Sequence, residues 1–594
     1  MKQNKKPATK EKHHKYIFVV GGVMSGVGKG IASSSIGTIL QAKGFDVNLA
    51  KVDPYLNVDA GTMNPTEHGE VFVLNSGLET DQDMGNYERF LNRDLLHDDY
   101  MTSGMVYKTV IERERNLGYK GKCVEAIPHI RDEIVRRYEH AAAANKSEIS
   151  VIEIGGTVGD YQNIMFIEAA RVLKIKHPDD VIFIMVSYLP IPSKIGEMKS
   201  RPTQNAVHQL AGYGVYTDII IARSEVAVDQ KRKEKIAVAC NLPADHVISA
   251  PDIDSVYDVP LNFERDGLGE IVMNCLKLEK RKNPATKHGL RDWIAFTKGI
   301  KASKKEVHIA IVGKYFHTGD FVLTDAYVSV LEAIKYSAYA LGVKPVIHTV
   351  NAGDFETGDE NGKKVAGVKK EDSTKIDYAS LDQFDGILVP GGFGETGIEG
   401  KLNVIRYARE HQIPYFGLCY GMQLMVIEYA RHVLGLKGAT TAEIDPTAQH
   451  LLIDIMPDQK KKLAEGNYGG SMRLGSYKAK LVKGSIAHEA YNAAAGAHVE
   501  SVVERHRHRY EVNPKYIERV EKGAPASATS ASQPGLLFSG KSPDGTLMEI
   551  AELPQVSHPF FVGVQFHPEF LARPLRPHPL FTAFMKAASK KSKK

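Results

Sequence analysis

The sequence predicts an α/β protein with two doubly wound domains, and three observations support this prediction. The chain has 594 residues, about twice the length at which a single hydrophobic core stops growing. Fully apolar segments, typical of parallel strands covered on both faces, alternate with amphipathic segments in two separate cycles. A charged stretch around Trp293, the only tryptophan, separates the two cycles.

The first cycle begins with a strand at Tyr16 that runs into a glycine-rich loop and then a helix over Ile31–Ala42. Its other predicted strands are Val47–Val52, Ile149–Ile154, Val181–Ser187 and Asp218–Ala222. The second cycle begins at Val307 and continues with a helix over Thr324–Leu341. Its other predicted strands are Pro345–Val350, Gly386–Val389 and Pro414–Leu418. Each cycle therefore predicts a parallel sheet with helices on its faces.

These patterns also place the domain boundaries. We expect a basic tail at 1–15, a first domain at 16–278, a linker at 279–305, a second domain at 306–585 and a Lys-rich tail at 586–594. Three polar segments interrupt the second domain, and their composition predicts surface insertions. They are Glu356–Lys375, Met456–Gly470 and Ala524–Pro543.

The basic excess of the chain lies at its two ends. The formal net charge is +5, but residues 1–15 carry six lysines against one glutamate, and residues 586–594 carry five lysines. The remaining chain holds 65 basic and 70 acidic residues. A nucleic-acid or membrane-surface protein concentrates its basic residues in a patch on folded elements, and no run of eighteen apolar residues predicts a membrane span. We therefore expect neither nucleic-acid nor membrane binding.

The four cysteines are widely spaced and form no CxxC motif: Cys123, Cys240, Cys275 and Cys419. This usage is typical of free thiols in a reducing compartment. The N-terminal segment has no apolar core that would make it a secretory signal. The expected location is the cytoplasm.

The loop after the first strand has the composition of a phosphate site. It reads GGVMSGVGKG over Gly21–Gly30, and at this position backbone N–H groups and the helix dipole can hold anionic phosphates. Five residues rather than four separate Gly22 from Gly28, and Gly30 replaces the hydroxyl residue that holds magnesium in a standard P-loop. We interpret the segment as a nucleotide-binding loop rather than a glycine turn with a structural Lys29.

A metal ion at this loop needs other ligands. Carboxylates near the carboxyl ends of neighbouring strands are the candidates, because magnesium prefers hard oxygen ligands. They are Asp81, Asp83 and Glu153. Lys51, at the end of the next strand, could stabilise the same phosphates during phosphoryl transfer or could equally be a surface lysine.

Cys419 lies where an apolar strand meets an amphipathic segment, Met422–His432, with Gly417 and Gly421 on either side. This pattern predicts a nucleophile elbow, in which a sharp turn exposes the sulfur and the helix N-terminus favours the thiolate. The alternative is a buried structural cysteine.

A second apolar strand favours the elbow, because it ends at His567 with Glu569 two residues further on. Together these residues predict a Cys–His–Glu triad. His567 would take the proton of Cys419, Glu569 would orient the imidazole, and the sulfur would form a thioester with an amide carbon. The segment Gly391–Gly394 could supply the N–H groups of an oxyanion hole.

A phosphate loop and a thiol amidase in one chain leave the acceptor substrate open. The combination also suits cobyric-acid-type amidases and other ATP-dependent amidoligases. A non-enzymatic alternative is a partitioning-type P-loop ATPase, or a filament scaffold with a decayed thiol site. The triad residues all lie at the strand ends that their chemistry requires, which favours an enzyme.

The motifs resemble those of the CTP synthase family from about Tyr16 to Ala588. The N-terminal half carries GGVMSGVGKG from Gly21, KVDPYLNVD from Lys51, HGEVFV from His68 and EIGGTVGD from Glu153. The C-terminal half resembles class I glutamine amidotransferases, with their flavodoxin-like sheet, in PGGFG, CYGMQ and HPE, and it carries ERHRHRYEVN from Glu504. The resemblance implies ATP-dependent amination of UTP to CTP, with ammonia that passes through an internal tunnel from a glutaminase site.

The resemblance also implies roles for individual residues. ATP would be bound by Gly26, Val27, Gly28, Lys29, Gly30, Ile31, Lys51 and Asp83, and Mg²⁺ by Asp83 and Glu153. UTP, or CTP as feedback inhibitor, would meet Ser25, Asp160, Tyr161, Gln162, Lys199, Ser200, Arg201, Pro202, Thr203, Gln204 and Lys235. L-Glutamine would meet Gly392, Tyr420, Gly421, Met422, Gln423, Glu443 and Arg509. GTP as allosteric activator, a homotetramer and filaments are implied as well.

Two positions depart from the family pattern. Tyr420 stands where leucine is common; its backbone N–H is retained, so activity should survive while the packing of glutamine could change. Gln162 stands where glutamate is more common, which removes a carboxylate from the region expected to contact CTP. The resemblance therefore leaves feedback inhibition open.

Overall fold

The computed structural model describes two compact units. It covers residues 13–592 except 65–67, 195, 282–289, 314–316, 319–320, 323–324, 357–377, 456–471 and 526–531. Unit 1 comprises the described residues of Met1–Asp59 and Asn86–Thr297, and unit 2 those of Ala60–Gly85 and Lys298–Lys594. The segment Ala60–Gly85 therefore belongs to unit 2, although its sequence position predicted the first domain.

Unit 1 contains a fully parallel sheet of seven strands, counted over its described residues, in the order β3-β2-β4-β1-β5-β6-β7. The strands are β1 (Lys15–Gly22), β2 (Val47–Asp53), β3 (Tyr100–Thr102), β4 (Ile149–Ile154), β5 (Val181–Tyr188), β6 (Ile219–Ser224) and β7 (Val247–Pro251). The β2 and β4 side chains are buried throughout, which confirms strands covered on both faces. The buried side chains include the charged residues Lys51, Asp53 and Glu153. The carboxyl end of β1 lies between those of β4 and β5, where open parallel sheets bind ligands.

Unit 2 contains a nine-stranded sheet within its described residues, in the order β9-β8-β10-β11-β16-β15-β14-β12-β13. The strands are β8 (Lys305–Gly313), β9 (Val343–Asn351), β10 (Gly386–Val389), β11 (Tyr415–Leu418), β12 (Arg473–Leu481), β13 (Ser501–His508), β14 (Leu537–Lys541), β15 (Met548–Glu552) and β16 (Phe561–Val564). The first five in that order are parallel and the others pair antiparallel. The sheet confirms the predicted α/β class, and the antiparallel extension was not predicted.

Helices cover both sheets. They are α1 (Lys29–Ala42), α2 (Asp83–Leu91), α3 (Ser103–Arg115), α4 (Arg131–Asn145), α5 (Ile164–Lys176), α6 (Arg201–Gly212), α7 (Gln230–Cys240), α8 (Val259–Arg265), α9 (Leu268–Cys275), α10 (Arg291–Ala302), α11 (Val328–Ala340), α12 (Ile398–Glu410), α13 (Tyr420–His432), α14 (Ile486–Ala495), α15 (Pro514–Lys522) and α16 (Pro579–Lys591). Within the described ranges, none of them combines the length and apolarity that a membrane crossing requires.

The stretch predicted as a linker contains helix α10. Trp293 is only 2% exposed and donates from its indole N–H to the Tyr257 carbonyl at 2.7 Å. Its ring also packs against Phe90. The aromatic contacts outweigh the charged composition on which the linker prediction rested, and the two units divide at Thr297 within this stretch.

The predicted C-terminal tail and one predicted insertion are also partly ordered. Helix α16 continues to Lys591 because Ala588 is buried and Lys591 Nζ donates to the Phe384 carbonyl at 2.6 Å. Strand β14 lies inside Ala524–Pro543. The other two insertions and residues 1–12 fall largely or wholly outside the described residues.

Candidate active sites

The glycine-rich loop joins β1 to α1 as the sequence predicts. Gly26 and Gly28 have φ of 69° and 88°, a region that L side chains rarely adopt, and Gly28 immediately precedes the helix. Lys29 Nζ donates to the Gly156 carbonyl at 2.8 Å. A Cβ atom at Gly21 would lie 2.9 Å from this nitrogen, so the lysine can fold back only over a glycine.

Lys51 is not a surface lysine. It is 5% exposed, donates from Nζ to Glu153 Oε1 at 2.9 Å and lies 3.8 Å from Asp53 Oδ1. The Tyr87 hydroxyl donates to the other oxygen of Glu153. The structure therefore holds a buried cation against a buried carboxylate at the carboxyl edge of the sheet.

The two predicted metal ligands are both carboxylates: Asp83 is the first residue of α2, and Glu153 lies on β4. The described part of the chain contains no group of three His, Cys, Asp or Glu side chains that could hold a metal ion. Carboxylate oxygens nevertheless suit magnesium, which usually takes one or two of them and completes its shell with phosphates and water. The donor chemistry therefore fits a nucleotide-bound magnesium ion.

A cavity of about 210 Å³ adjoins the phosphate loop. No sequence motif predicted this cavity. Its lining includes Gly28, Ile31, Arg223, Asp252, Val256 and Phe263. Arg223 is held by Asp252 at 2.8 Å and by the Ala250 carbonyl at 3.2 Å. Only the positions of its lining residues could have indicated this cavity. Arg223 and Ala250 lie at the carboxyl ends of β6 and β7, where open parallel sheets bind ligands.

The residues expected to meet UTP or CTP all belong to unit 1, but their surroundings differ. Lys199 to Gln204 span the start of α6, with Pro202 in its first turn, and Thr203 is buried with its hydroxyl 2.8 Å from Ser187 Oγ. Asp160 accepts a hydrogen bond from the Thr157 N–H. Exposed positions are Ser25, Tyr161, Gln162, Arg201 and Lys235. The structure thus places some of the set at a helix N-terminus and leaves the rest on the surface.

Cys419 occupies the strained turn that its sequence pattern predicted. It joins β11 to α13 with φ 48° and ψ −98°, and its N–H donates to the Val564 carbonyl at 2.7 Å. A Cβ atom at Gly421 would lie 2.2 Å from the Val389 carbonyl oxygen, and one at Gly417 would lie 2.7 Å from Tyr415 Oη. Neither flanking glycine therefore leaves room for a side chain, and the turn holds the Cys419 side chain in one direction.

His567 and Glu569 lie beside this turn. His567 Nδ1 is 2.7 Å from Glu569 Oε1, and both side chains are largely buried. Burial alone lowers the pKa of His567, but the negative charges of Glu569 and Cys419 outweigh it and raise that pKa to about 10. A Cβ atom at Gly391 would lie 2.9 Å from His567 Cε1 and 3.8 Å from Cys419 Cβ, so both residues face the same small volume.

A cavity of about 540 Å³ in unit 2 collects most of the predicted glutamine-binding residues. They are Gly392, Tyr420, Gln423, Glu443 and Arg509, together with Cys419, His567 and Glu569. Glu443 accepts from the Gly394 N–H at 2.8 Å, so this donor of the predicted oxyanion loop is already used within the protein. Gly421 and Met422 pack beneath the cavity, and Met422 is fully buried against Gly563.

The segment Ala60–Gly85 lines the same cavity through Gly61, Thr62, Met63, Asn64, Glu70 and Val71. The Glu70 carboxylate accepts from the Ser329 N–H at 3.1 Å, in the first turn of α11. Arg507 Nε donates to Glu79 at 2.8 Å. These ion-pair and capping contacts explain why the segment belongs to unit 2, and nothing in its local pattern indicated them.

A buried polar network lies on β12 and β13 behind the thiol. His506 Nδ1 is 2.9 Å from His508 Nε2, and burial holds the pKa of both well below the ordinary value. Arg473 donates to Glu511 at 3.1 Å. Burial, followed by the nearby Glu549 carboxylate, raises the pKa of Glu511 to about 8. Both histidines are therefore neutral near pH 7.

Comparisons with known proteins cover both halves of the chain. Residues 15–278 match the family model "CTP synthase N-terminus" and residues 322–587 match "Glutamine amidotransferase class-I". A CTP synthase of Pyrococcus furiosus is 46% identical over 97% of this chain and 98% of its own length. One of Halalkalibacterium halodurans is 43% identical over 97% and 99%. The solved glutaminase domain of Trypanosoma brucei CTPS with bound acivicin is 35% identical, covers 48% of this chain and 94% of that chain, and has a TM-score of 0.39.

Proposed function

The chain belongs to the CTP synthase family of glutamine-hydrolysing ligases, and from that premise we propose how its residues carry out the reaction. Glutamine is hydrolysed in unit 2 by Cys419, His567 and Glu569. UTP is phosphorylated by ATP in unit 1, and ammonia then displaces phosphate at C4 to give CTP. The observation that carries the proposal is the strained Cys419 turn beside the His567–Glu569 pair.

In the glutaminase half, the Cys419 sulfur attacks the side-chain amide carbon of glutamine. The negative charge that develops on the amide oxygen is met by the backbone N–H groups of Gly391 and Gly392. His567, protonated at neutral pH because its pKa is raised, gives its proton to the departing ammonia. It then takes a proton from the water that hydrolyses the thioester, which releases glutamate and restores the thiolate. Arg509 pairs with the carboxylate of the substrate.

In the synthetase half, the phosphate loop and Lys29 bind the ATP phosphates, and the cavity beside α1 holds the adenosine part through Arg223 and Asp252. The uracil O4 takes the γ-phosphoryl group, and Lys51 stabilises the charge that develops during this transfer. Asp83 and Glu153 would hold Mg²⁺, which supplies positive charge to the phosphate oxygens when bound. Lys51 remains near these phosphates because Glu153 anchors it.

The transfer of ammonia between the two chemistries is direct. Ammonia released into water at neutral pH is mostly protonated and no longer nucleophilic, so a shielded route is favoured. Unlabelled ammonium in the medium, at a concentration that supports little CTP formation by itself, should therefore fail to dilute the nitrogen that CTP receives from amide-¹⁵N-labelled glutamine. Dilution down to the isotope ratio of the medium would contradict channelling.

Family membership further supports GTP activation, CTP inhibition and assembly into tetramers and filaments. Tyr161, at 90% exposure, stands among the residues proposed to meet the pyrimidine nucleotide. A large aromatic ring so exposed suits burial in an assembly. Sedimentation of the full chain with and without UTP and ATP tests the tetramer.

The deciding experiment measures CTP formation from UTP, ATP and Mg²⁺ with either glutamine or ammonium, in wild type and Cys419→Ala. The wild type should use both donors. The variant should lose glutamine use by at least about 10⁴-fold while it keeps ammonium use. Full retention of glutamine use by the variant would overturn the nucleophile assignment, and no CTP from either donor would overturn the acceptor assignment.

A further inference from the structure

Gln565 lies next to the proposed nucleophile and has no role in the mechanism above. It directly follows β16, is fully buried, and its N–H donates to the Glu549 carbonyl at 2.8 Å. The preceding residue, Val564, accepts the N–H of Cys419. The peptide unit between Val564 and Gln565 is therefore anchored through both its C=O and its N–H, so the sheet fixes the backbone from which the Gln565 side chain projects.

Neighbouring contacts settle which end of the Gln565 amide faces the sulfur. Gln423 Nε2 donates to Gln565 Oε1 at 3.3 Å and to the Tyr510 carbonyl at 3.0 Å. Because a carbonyl oxygen cannot donate, the Gln565 oxygen must point to the Gln423 amino group. This leaves Gln565 Nε2 on the side of Cys419, 3.7 Å from Sγ, a donor-to-sulfur contact.

The other groups around the Cys419 sulfur show why an N–H donor at this position would favour the thiolate. The Arg507 carbonyl lies 3.8 Å from Cys419 Sγ and can accept only from a protonated thiol. An amide N–H favours the opposite state, because it donates to a thiolate and loses that strong acceptor when the sulfur is protonated or acylated. His567 and Glu569 supply the charges near the sulfur, and His506 and His508 remain neutral because burial lowers their pKa.

We propose that Gln565 is a further catalytic residue: its side-chain amide donates a hydrogen bond to the Cys419 sulfur and stabilises the thiolate before attack and again when the thioester breaks. The inference rests on the proposed role of Cys419. No additional bond is made or broken by Gln565. Gln423 fixes the orientation of the Gln565 amide by donating to its oxygen, so that the Gln565 amino group faces Cys419.

The test uses the full chain and the Gln565→Met variant, which keeps the side-chain length and removes the N–H. The rate of Cys419 alkylation by iodoacetamide is measured from pH 5 to pH 10, with Cys419→Ala as background. We expect the midpoint of the pH profile to move to higher pH, with little change in the alkylation rate where the sulfur is fully ionised. Glutamine-dependent kcat should fall by up to about tenfold, while ammonium-dependent kcat stays within about twofold.

The control is Gln412→Met, which removes an exposed amide bonded to the Ser557 carbonyl and should leave the profile unchanged. An unshifted Gln565→Met profile would overturn the inference, even if glutamine use fell. Should that variant lose ammonium-dependent activity, Gln565→Leu carries the test, since it removes the N–H and adds no charge beside the sulfur; an unshifted profile there overturns the inference as well. Glutamine use that survives in Cys419→Ala would instead contradict the proposed function itself.

Discussion

The two units prepare their reactive groups in opposite ways. In unit 1 the cations proposed to meet phosphates are already bonded to protein oxygens, Lys29 to the Gly156 carbonyl and Lys51 to Glu153. In unit 2 the proposed nucleophile is oriented by backbone geometry, with Cys419 held at a positive φ between two tightly packed glycines. One site is governed by charge compensation and the other by shape.

This difference follows from what each site must do. A buried ammonium group without a partner is costly, so a site that binds a charged nucleotide must satisfy its lysines before the ligand arrives. A nucleophile needs a fixed direction towards a neutral amide, which strained backbone supplies. Substitutions that change charge should therefore have the largest effects on activity in unit 1, and substitutions that change shape or hydrogen bonding the largest effects in unit 2. The proposed triad of Cys419, His567 and Glu569 is the exception, because both charge and shape matter there.

Glu569→Gln tests the charge within the proposed triad and should have the largest effect on glutamine-dependent activity. It removes a negative charge that raises the pKa of His567, so that pKa falls and the imidazolium is lost at lower pH. The alkaline limb of kcat/KM for glutamine should move to lower pH, and kcat should fall by on the order of 10³–10⁴-fold. Ammonium-dependent CTP formation serves as the control. An unmoved alkaline limb would contradict the electrostatic role of Glu569.

Lys29→Met should affect both nitrogen donors equally. It removes the cation of the phosphate loop without changing its glycines, and CTP formation should fall by on the order of 10²–10³-fold with glutamine and with ammonium alike. The measurement is kcat and KM for ATP with each donor. A loss confined to glutamine would place Lys29 outside phosphate binding.

Gly421→Ala changes shape without changing charge. Its Cβ would lie 2.2 Å from the Val389 carbonyl oxygen, so the turn must shift, at a cost of about 1–3 kcal/mol in the free energy of unfolding. Thermal unfolding and glutaminase activity should both decline. Gly299→Ala is the matched control, because among the described residues no atom beyond its chain neighbours and its own helix backbone lies within 4 Å of its Cβ position, and alanine is the better helix former. Equal stability of the two variants would show that the turn tolerates a side chain.

Tyr420→Leu should have the smallest effect. The Tyr420 hydroxyl donates to the Gly394 carbonyl at 3.4 Å, and Lys401 Nζ lies 5.6 Å from the ring centre. Loss of these contacts is worth about 0.5–2 kcal/mol, which predicts a change of KM for glutamine of no more than about thirtyfold with kcat nearly retained. A collapse of kcat would show that the phenol acts in the reaction.

Local patterns predicted much of this protein. The segments rich in apolar residues indicated buried parallel strands, and the strands Ile149–Ile154 and Gly386–Val389 are confirmed at both ends. The glycines around Cys419 predicted a turn that only small neighbours allow. The first helix begins at Lys29 rather than Ile31, because the phosphate loop ends in a left-handed glycine that caps it. Such features depend on residues close in sequence.

Other features depended on partners far apart in the chain. The charged composition of residues 279–305 did not predict helix α10. Its stability comes from the packing of Trp293 against Phe90 and Tyr257, which lie far from it in the sequence. The cavity beside the phosphate loop and the contact of Gln565 with Cys419 join residues from different strands. A periodic sequence pattern does not predict such pairs, because these side chains come into contact only when the sheet has brought their strands together.

The sequence by itself determined the fold class, the phosphate loop, the strained thiol turn and the His567–Glu569 pair, since each needs particular residue types at short spacing. Only the tertiary structure decided that Ala60–Gly85 belongs with unit 2, where Glu70 caps α11 and Glu79 binds Arg507. Ion pairs and caps of this kind join groups hundreds of positions apart. Their energy depends on distance in space, which the order of residues does not contain.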